Sequence, residues 1–260
     1  MPTENTAIAT TTSIAIVTGG SRGIGRNTVL SFARRGIDSI FTYRSNRAEA
    51  DKVVAAVNAM GRKARALQLD TGDIGSFDAF VQGVRRALDE FGAERFDSLV
   101  NNAGVSMHKA FADTTEEDLD NVYRIHFKGV FFLTQKLLPL MNDGGRIVNI
   151  STGLTRMTFP ETSAYASMKG AVEVLTRCLA KELGARRIAV NTVAPGPIAT
   201  DFSGGMVRDK PEVNRRVADM TALGRAGEPD DVGPLIAALC SEEHRWVNAQ
   251  RIEASGGMAI

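Results

Sequence analysis

Short runs of apolar, β-branched residues alternate with longer amphipathic segments along almost the whole chain. "SIAIV" (13–17), "SIFTY" (39–43), "RALQLD" (65–70), "FDSLVNNAG" (96–104), "GRIVNIS" (145–151) and "IAVNTVAPG" (188–196) read as strands, with a last one at 250–254. Between them, 26–36, 46–60, 74–91, 115–140, 163–183 and 229–240 read as helices; Val29, Phe32 and Ala33 show the spacing, and Gly36 is a helix stop. Strands alternating with helices of this length imply βαβ crossovers and a parallel sheet, and nearly unbroken apolar strands imply that both faces are covered. The expected architecture is a single α/β domain over 13–260, a doubly wound parallel sheet of about seven strands with helices on both faces. Residues 1–12 are Thr-rich and are expected to form a loose tail. Segment 197–228, rich in Gly, Met and charged residues, breaks the rhythm just after the carboxyl end of a strand. Ligands bind at that edge of open α/β sheets, so it reads as a mobile substrate lid, with a surface insertion as the alternative.

Composition narrows the function classes. The chain has 260 residues, 43% hydrophobic and 23% charged, with net charge +1, as in a soluble globular protein. Without a basic excess, a general nucleic-acid partner is not expected. No apolar run is long enough to span a membrane, and "MPTENTAIATTTS" lacks the basic and apolar regions of a secretory signal. A cytoplasmic location follows as the expectation. Cys178 and Cys240 sit in no Cys-x-x-Cys pattern, so both are expected to pack as small apolar residues, and no metal is expected.

The first strand runs straight into "TGGSRGIG" (18–25), where Gly19, Gly23 and Gly25 precede a helix. Glycine there permits a sharp turn, backbone approach to a pyrophosphate and close helix packing, so Ser21, Arg22 and Ile24 join the candidate cradle. The second strand ends "FTYRSN", with Arg44 and Ser45 where an NAD enzyme usually carries an acid, and Asp38 comes too early for that role. Arg44 and Arg22 are instead suited to a 2′-phosphate, since a guanidinium matches phosphate in a bidentate, charge-assisted way. NADP(H) is therefore expected over NAD(H).

"TGGSRGIG", "NNAG" (101–104), "YASMK" (165–169) and "PGPIATD" (195–201) follow one another at intervals that closely resemble the short-chain dehydrogenase/reductase family. The resemblance runs from Ser13 to the terminal "SGGMAI" and looks nearest to carbonyl reductases allied to 3-oxoacyl-[acyl-carrier-protein] reductase. It implies a Rossmann fold and hydride transfer between NADP(H) and a carbonyl or secondary alcohol. It also makes Tyr165 the general acid/base and Lys169 its partner, one helical turn away. A free phenol, with pKa about 10, is a sluggish proton donor at neutral pH, and the ammonium is expected to lower that value. By the same resemblance Lys169 holds the nicotinamide ribose, Asp70 sits near the adenine, and Asn102, Ala103 and Gly104 line the adenosine side. Pro195, Gly196, Ile198 and Thr200 hold the carboxamide and phosphates; for Asp70 a capping role is also open.

Two positions depart from the family pattern. The serine expected thirteen residues before the tyrosine is Thr152, preceded by Ser151. Strand side chains alternate faces, so one of the two points at the site; spacing selects Thr152, with Ser151 as the fallback. In the long helix, His126-x-x-Gly129 replaces Asn-x-x-Gly. The imidazole is either structural or part of a water relay behind Lys169; if protonated, it repels the lysine and impairs turnover at mildly acidic pH. The substrate is left open: Phe202, Met206, Val207, Arg208, Lys210 and Met220 of the lid suit an apolar carbonyl compound, an acyl thioester included. A catalytically silent NADP(H)-binding sensor or scaffold is the competing class. The resemblance further implies a homotetramer or homodimer, and Ala164, Ala166, Ser167, Gly170 and Ala171 permit close helix approach.

Overall fold

The computed structural model describes residues 13–260, so the tail expected at 1–12 lies outside the described residues. Its strands are β1 (Ile14–Val17), β2 (Asp38–Tyr43), β3 (Ala64–Gln68), β4 (Phe96–Asn101), β5 (Met141–Ile150), β6 (Ala189–Pro195) and β7 (Arg251–Ala254). They pair in parallel in the order β3-β2-β1-β4-β5-β6-β7, the doubly wound sheet the alternation implied. Strand order reverses between β1 and β4, which leaves a crevice at their carboxyl ends.

The helices are α1 (Gly23–Arg34), α2 (Arg47–Ala59), α3 (Phe77–Phe91), α4 (Glu116–Tyr123), α5 (Gly129–Leu137), α6 (Ser163–Glu182), α7 (Met206–Asp209), α8 (Pro211–Asp219) and α9 (Pro229–Leu239). Alternating strand residues feed two cores. Ile14, Ile16, Leu99, Ile147 and Val190 pack with Phe77, Val84 and Leu88 of α3 and Leu133 and Leu137 of α5. Ala15, Val17, Val100, Val148 and Val193 pack on the other face under α1 (Val29, Phe32), α2 (Val53, Val57) and α9 (Val232, Ile236). Full burial of each such large side chain stabilises the fold by about 1.5–3 kcal/mol. Among the described residues, no helix is long and apolar enough to cross a membrane.

Element ends differ from the sequence reading for local reasons. Helix α1 starts at Gly23, because the glycine turn itself forms its first turn. Strand β4 stops at Asn101, because the next two amides, of Asn102 and Ala103, both donate to Thr18 Oγ1 at 2.9 Å. The helix expected over 115–140 opens on a Thr115–Asp118 capping box and passes through a π-helical turn, Arg124–Lys128, before α5. A Cβ on Gly129 would lie 2.1 Å from the Thr71 carbonyl oxygen, so only glycine lets the helix rest on the β3–α3 loop. Cys178, expected to be packed, is exposed on α6.

Candidate active site

The crevice is built from strand ends. The Gly19 amide donates to Thr42 Oγ1 at 2.9 Å and the Gly20 amide to the Thr42 carbonyl at 2.8 Å, which fixes the glycine turn beside the end of β2. Asn102 Nδ2 donates to the Thr18 and Gly19 carbonyls at 2.8 and 3.2 Å. Gly19 takes a left-handed conformation, φ +66°, and a Cβ on Gly25 would stand 2.2 Å from the Gly19 oxygen. Packing thus requires glycine at both places and leaves the turn's backbone facing the crevice. Arg22, Arg44 and Ser45 are exposed at this edge, with Ser21, Gly23 and Ile24 half-buried between them. The side chain of Asp70 closes a turn onto the Gly72 amide at 2.8 Å, ahead of a short helical turn rather than as its cap.

The Pro195–Thr200 segment folds over the same turn. The Gly196 amide donates to the Ala254 carbonyl at 3.0 Å, Ile198 pairs with Gly227, and the Thr200 side chain lies 3.5 Å from where a Gly23 Cβ would be. The segment from 197 onward therefore starts against the glycine turn. It continues through Phe202, whose ring centroid stands 6.3 Å from that of Tyr165.

Tyr165 and Lys169 sit one turn apart on the buried face of α6. Lys169 Nζ donates to the Ile150 carbonyl at 2.7 Å and lies 5.8 Å from the Tyr165 ring centroid. The two hydroxyls at the end of β5 separate as strand alternation requires. Ser151 Oγ turns away and donates to Glu173 Oε1 at 2.6 Å, while the Thr152 hydroxyl lies on the Tyr165 side and favours the ionised phenol. Thr152 Oγ1 accepts from the Leu154 amide at 3.3 Å, which leaves its own proton free to donate.

Burial governs the charges here. It pushes the phenol of Tyr165 above its ordinary range, opposed in part by the neighbouring Thr152 hydroxyl; the expectation of a lowered value is corrected, because the lost hydration outweighs the groups that favour the phenolate. Burial likewise brings Lys169 down to about 8. His126 is wholly buried, and burial plus the Lys169 charge hold it at about 3. The imidazole is therefore neutral at mildly acidic pH, and the expected acid repulsion of Lys169 does not arise. Its Nε2 lies 2.8 Å from the Val105 carbonyl oxygen, to which it donates, and the ring meets Tyr165 edge-on at 5.1 Å. Nδ1 is buried with no partner among the described residues. A Cβ on Gly104 would come within 2.7 Å of His126 Cε1, so Gly104 makes room for the ring. Sequence reasoning missed the clamping hydroxyls of Thr18 and Thr42; their only signal was position, at or next to a strand end facing the glycine turn.

Residues 19–259 match the family described as "Enoyl-(Acyl carrier protein) reductase". The hydroxynaphthalene reductase-like protein Arp2 of Metarhizium brunneum is 34% identical over 98% of this chain and 97% of its own. Among solved structures, the reductase LugOII, which catalyses keto-reduction at C1 in lugdunomycin biosynthesis, is 40% identical with TM-score 0.91, covering 96% of this chain and 99% of its own. The angucycline C-6 ketoreductase LanV with bound NADP is 35% identical, also with TM-score 0.91, covering 96% of both chains. With the glycine turn, the Tyr165–Lys169 helix and the seven-stranded sheet in one arrangement, the chain belongs to the short-chain dehydrogenase/reductase family of oxidoreductases.

Proposed function

We propose that the protein reduces a ketone with NADPH, or oxidises the matching alcohol, and that Tyr165 donates the proton. The observation that carries this reading is the buried Tyr165–Lys169 pair, one turn apart on α6 with the ammonium 5.8 Å from the phenol ring, at the crevice edge. A bound reduced nicotinamide supplies the hydride for the carbonyl carbon. The glycine turn fits such a group: its backbone faces the crevice, two exposed guanidiniums stand beside it, and β2 ends without a carboxylate. Arg22 and Arg44 hold the 2′-phosphate in this reading and make NADP(H) the preferred cofactor.

Burial suits the direction of reduction. A phenol raised above its usual pKa rests protonated, ready to give its proton to a carbonyl oxygen. Thr152 orients that oxygen, and Lys169, still mostly charged at neutral pH, stabilises the phenolate left behind. Above Tyr165, Phe202 is 44% exposed and presents an aromatic face to the opening. LugOII, LanV and the hydroxynaphthalene reductase-like relative are named for keto-reduction and fused-ring compounds, so a ketone on a fused aromatic ring system is the substrate class we assign. We also take the working form to be an oligomer of this chain.

Loss of absorbance at the reduced-nicotinamide band, run with fused-ring ketones, acyl thioesters and sugars, tests the reading. Consumption is expected with the ring ketones, and Tyr165→Phe should lower kcat by about 10²–10⁴-fold. NADPH binding with no ketone consumed would make the protein a cofactor sensor or scaffold instead.

A further inference from the structure

Behind the Thr152 turn lies a charge network that the reading above leaves unused. Glu173 falls two helical turns after Tyr165 and one after Lys169, on the same face of α6. One of its oxygens, Oε1, accepts from Ser151 Oγ at 2.6 Å, Thr155 Oγ1 at 2.7 Å and Arg251 Nε at 2.9 Å. Arg251 comes from β7, on the far side of the sheet's last strand pair, and its Nη2 donates to the Thr152 carbonyl at 3.2 Å. Both side chains are shielded, with 13% and 24% of their surfaces exposed for Glu173 and Arg251.

Proton counting shows why both are needed. The Thr155 hydroxyl has one proton, and it lies 2.7 Å from the Glu173 carboxylate and 3.0 Å from the Thr152 carbonyl. The carboxylate is the stronger acceptor and takes it. The Thr152 carbonyl is then left with Arg251 Nη2 and the Thr155 amide, the latter at a long 3.4 Å. Arg251 is therefore the main donor holding that carbonyl, and Glu173 holds Arg251, Ser151 and Thr155 together. Arg251 Nη1 is anchored further by Glu253 at 3.0 Å, which Arg156 grips in turn at 2.6 and 2.8 Å.

We propose that Glu173 and Arg251 are positioning residues that set the Thr152 hydroxyl against Tyr165. The helix that carries the phenol thereby also holds the turn that bears the Thr152 hydroxyl, and the last strand closes the arrangement. The inference rests on the reading of Thr152 as the group that orients the substrate oxygen.

A double-substitution cycle tests it. Glu173→Gln keeps the shape and removes the charge; kcat with a consumed ring ketone should fall by about tenfold while KM for NADPH holds. In a Thr152→Val background the same substitution should cost less than about twofold, because the group it positions is gone. An equal loss in both backgrounds overturns the proposal. Amide hydrogen exchange on the full chain provides a readout that needs no turnover: in Glu173→Gln, residues 151–157 should exchange about tenfold faster, with 165–169 unchanged. Unchanged exchange at 151–157 overturns the proposal even if no ketone is ever consumed. Arg251→Lys, which keeps the charge but cannot make the two-pronged contact, should show the same local loosening if Glu173→Gln fails to fold.

Discussion

The side chains nearest Tyr165 titrate far from their solution values, and each displacement is a statement about stability. Histidine in an unfolded chain takes up a proton near pH 6.5, whereas buried His126 refuses it until about pH 3. Between those values the unfolded state binds more protons, so stability rises with pH through the window and is lost as pH falls from about 6.5. The slope approaches about 1.4 kcal/mol per pH unit. Glu253, held down to about 2 mainly by Arg156, releases its own contribution only at lower pH. The window from pH 6.5 to about 5.5, above the range in which the unfolded chain's Glu253 and aspartates take up protons, therefore isolates the histidine. We expect the melting temperature of the wild-type protein to fall steadily across it, and that of His126→Asn to fall much less. Parallel curves would mean that the imidazole accepts a proton in the folded state. The sign for Lys169 is the same in a different window, from about pH 8 up to about 9, where the buried Cys240 thiol, pushed up to about 12, begins to contribute the opposite slope.

At the scale of elements, the site is a meeting of strand ends, and this decides what the sequence could reveal. Arg22 and Arg44 belong to different βα loops, yet the Thr42 contacts with Gly19 and Gly20 bring those loops to one edge. Arg44→Ala should raise KM for NADPH by about 10–100-fold and leave KM for NADH almost unchanged, as expected for loss of a charge-assisted phosphate contact. Equal effects on both cofactors would place the guanidinium away from the 2′-phosphate. The strands, the glycine turn and the Tyr165–Lys169 face were legible because each follows from local periodicity or spacing. The choice between Ser151 and Thr152 was half legible: alternation says that they diverge and the family spacing selects Thr152, while what occupies Ser151, the Glu173 carboxylate, comes from tertiary packing. The π-helical turn around His126 was not legible, since one widened turn barely alters the apolar spacing, and the close approach of Gly129 to Thr71 beside it is tertiary. The sign of the Tyr165 shift was misread for a related reason. Spacing discloses the ammonium one turn away but not the depth of burial that outweighs it.

For the molecule as a whole, α6 has two tasks on two faces. Its inner face buries Tyr165 and Lys169; on its outer side Val174 is 52% exposed and a Cβ on Gly170 would meet nothing within 4 Å. The preceding long helix bears Tyr123, Phe127 and Phe131, the first pair stacked at 6.1 Å between centroids and the second tilted at 6.3 Å, with Tyr123 and Phe131 over a third exposed. Aromatic rings left in water beside a helix of small residues suit a second copy of the chain, and a net charge of +1 offers little repulsion to association. A stable contact of this kind buries about 1,200–2,000 Å² in total. Sedimentation should therefore find two or four chains per particle, and Phe131→Glu combined with Val174→Glu should release single chains that keep their helical ellipticity. Because the same helix carries the phenol and the ammonium, those single chains should also turn over more slowly with cofactor affinity little changed. A wild-type protein that sediments as one chain at micromolar concentration would sink this reading, and α6 would then have to hold Tyr165 in place through its inward contacts alone.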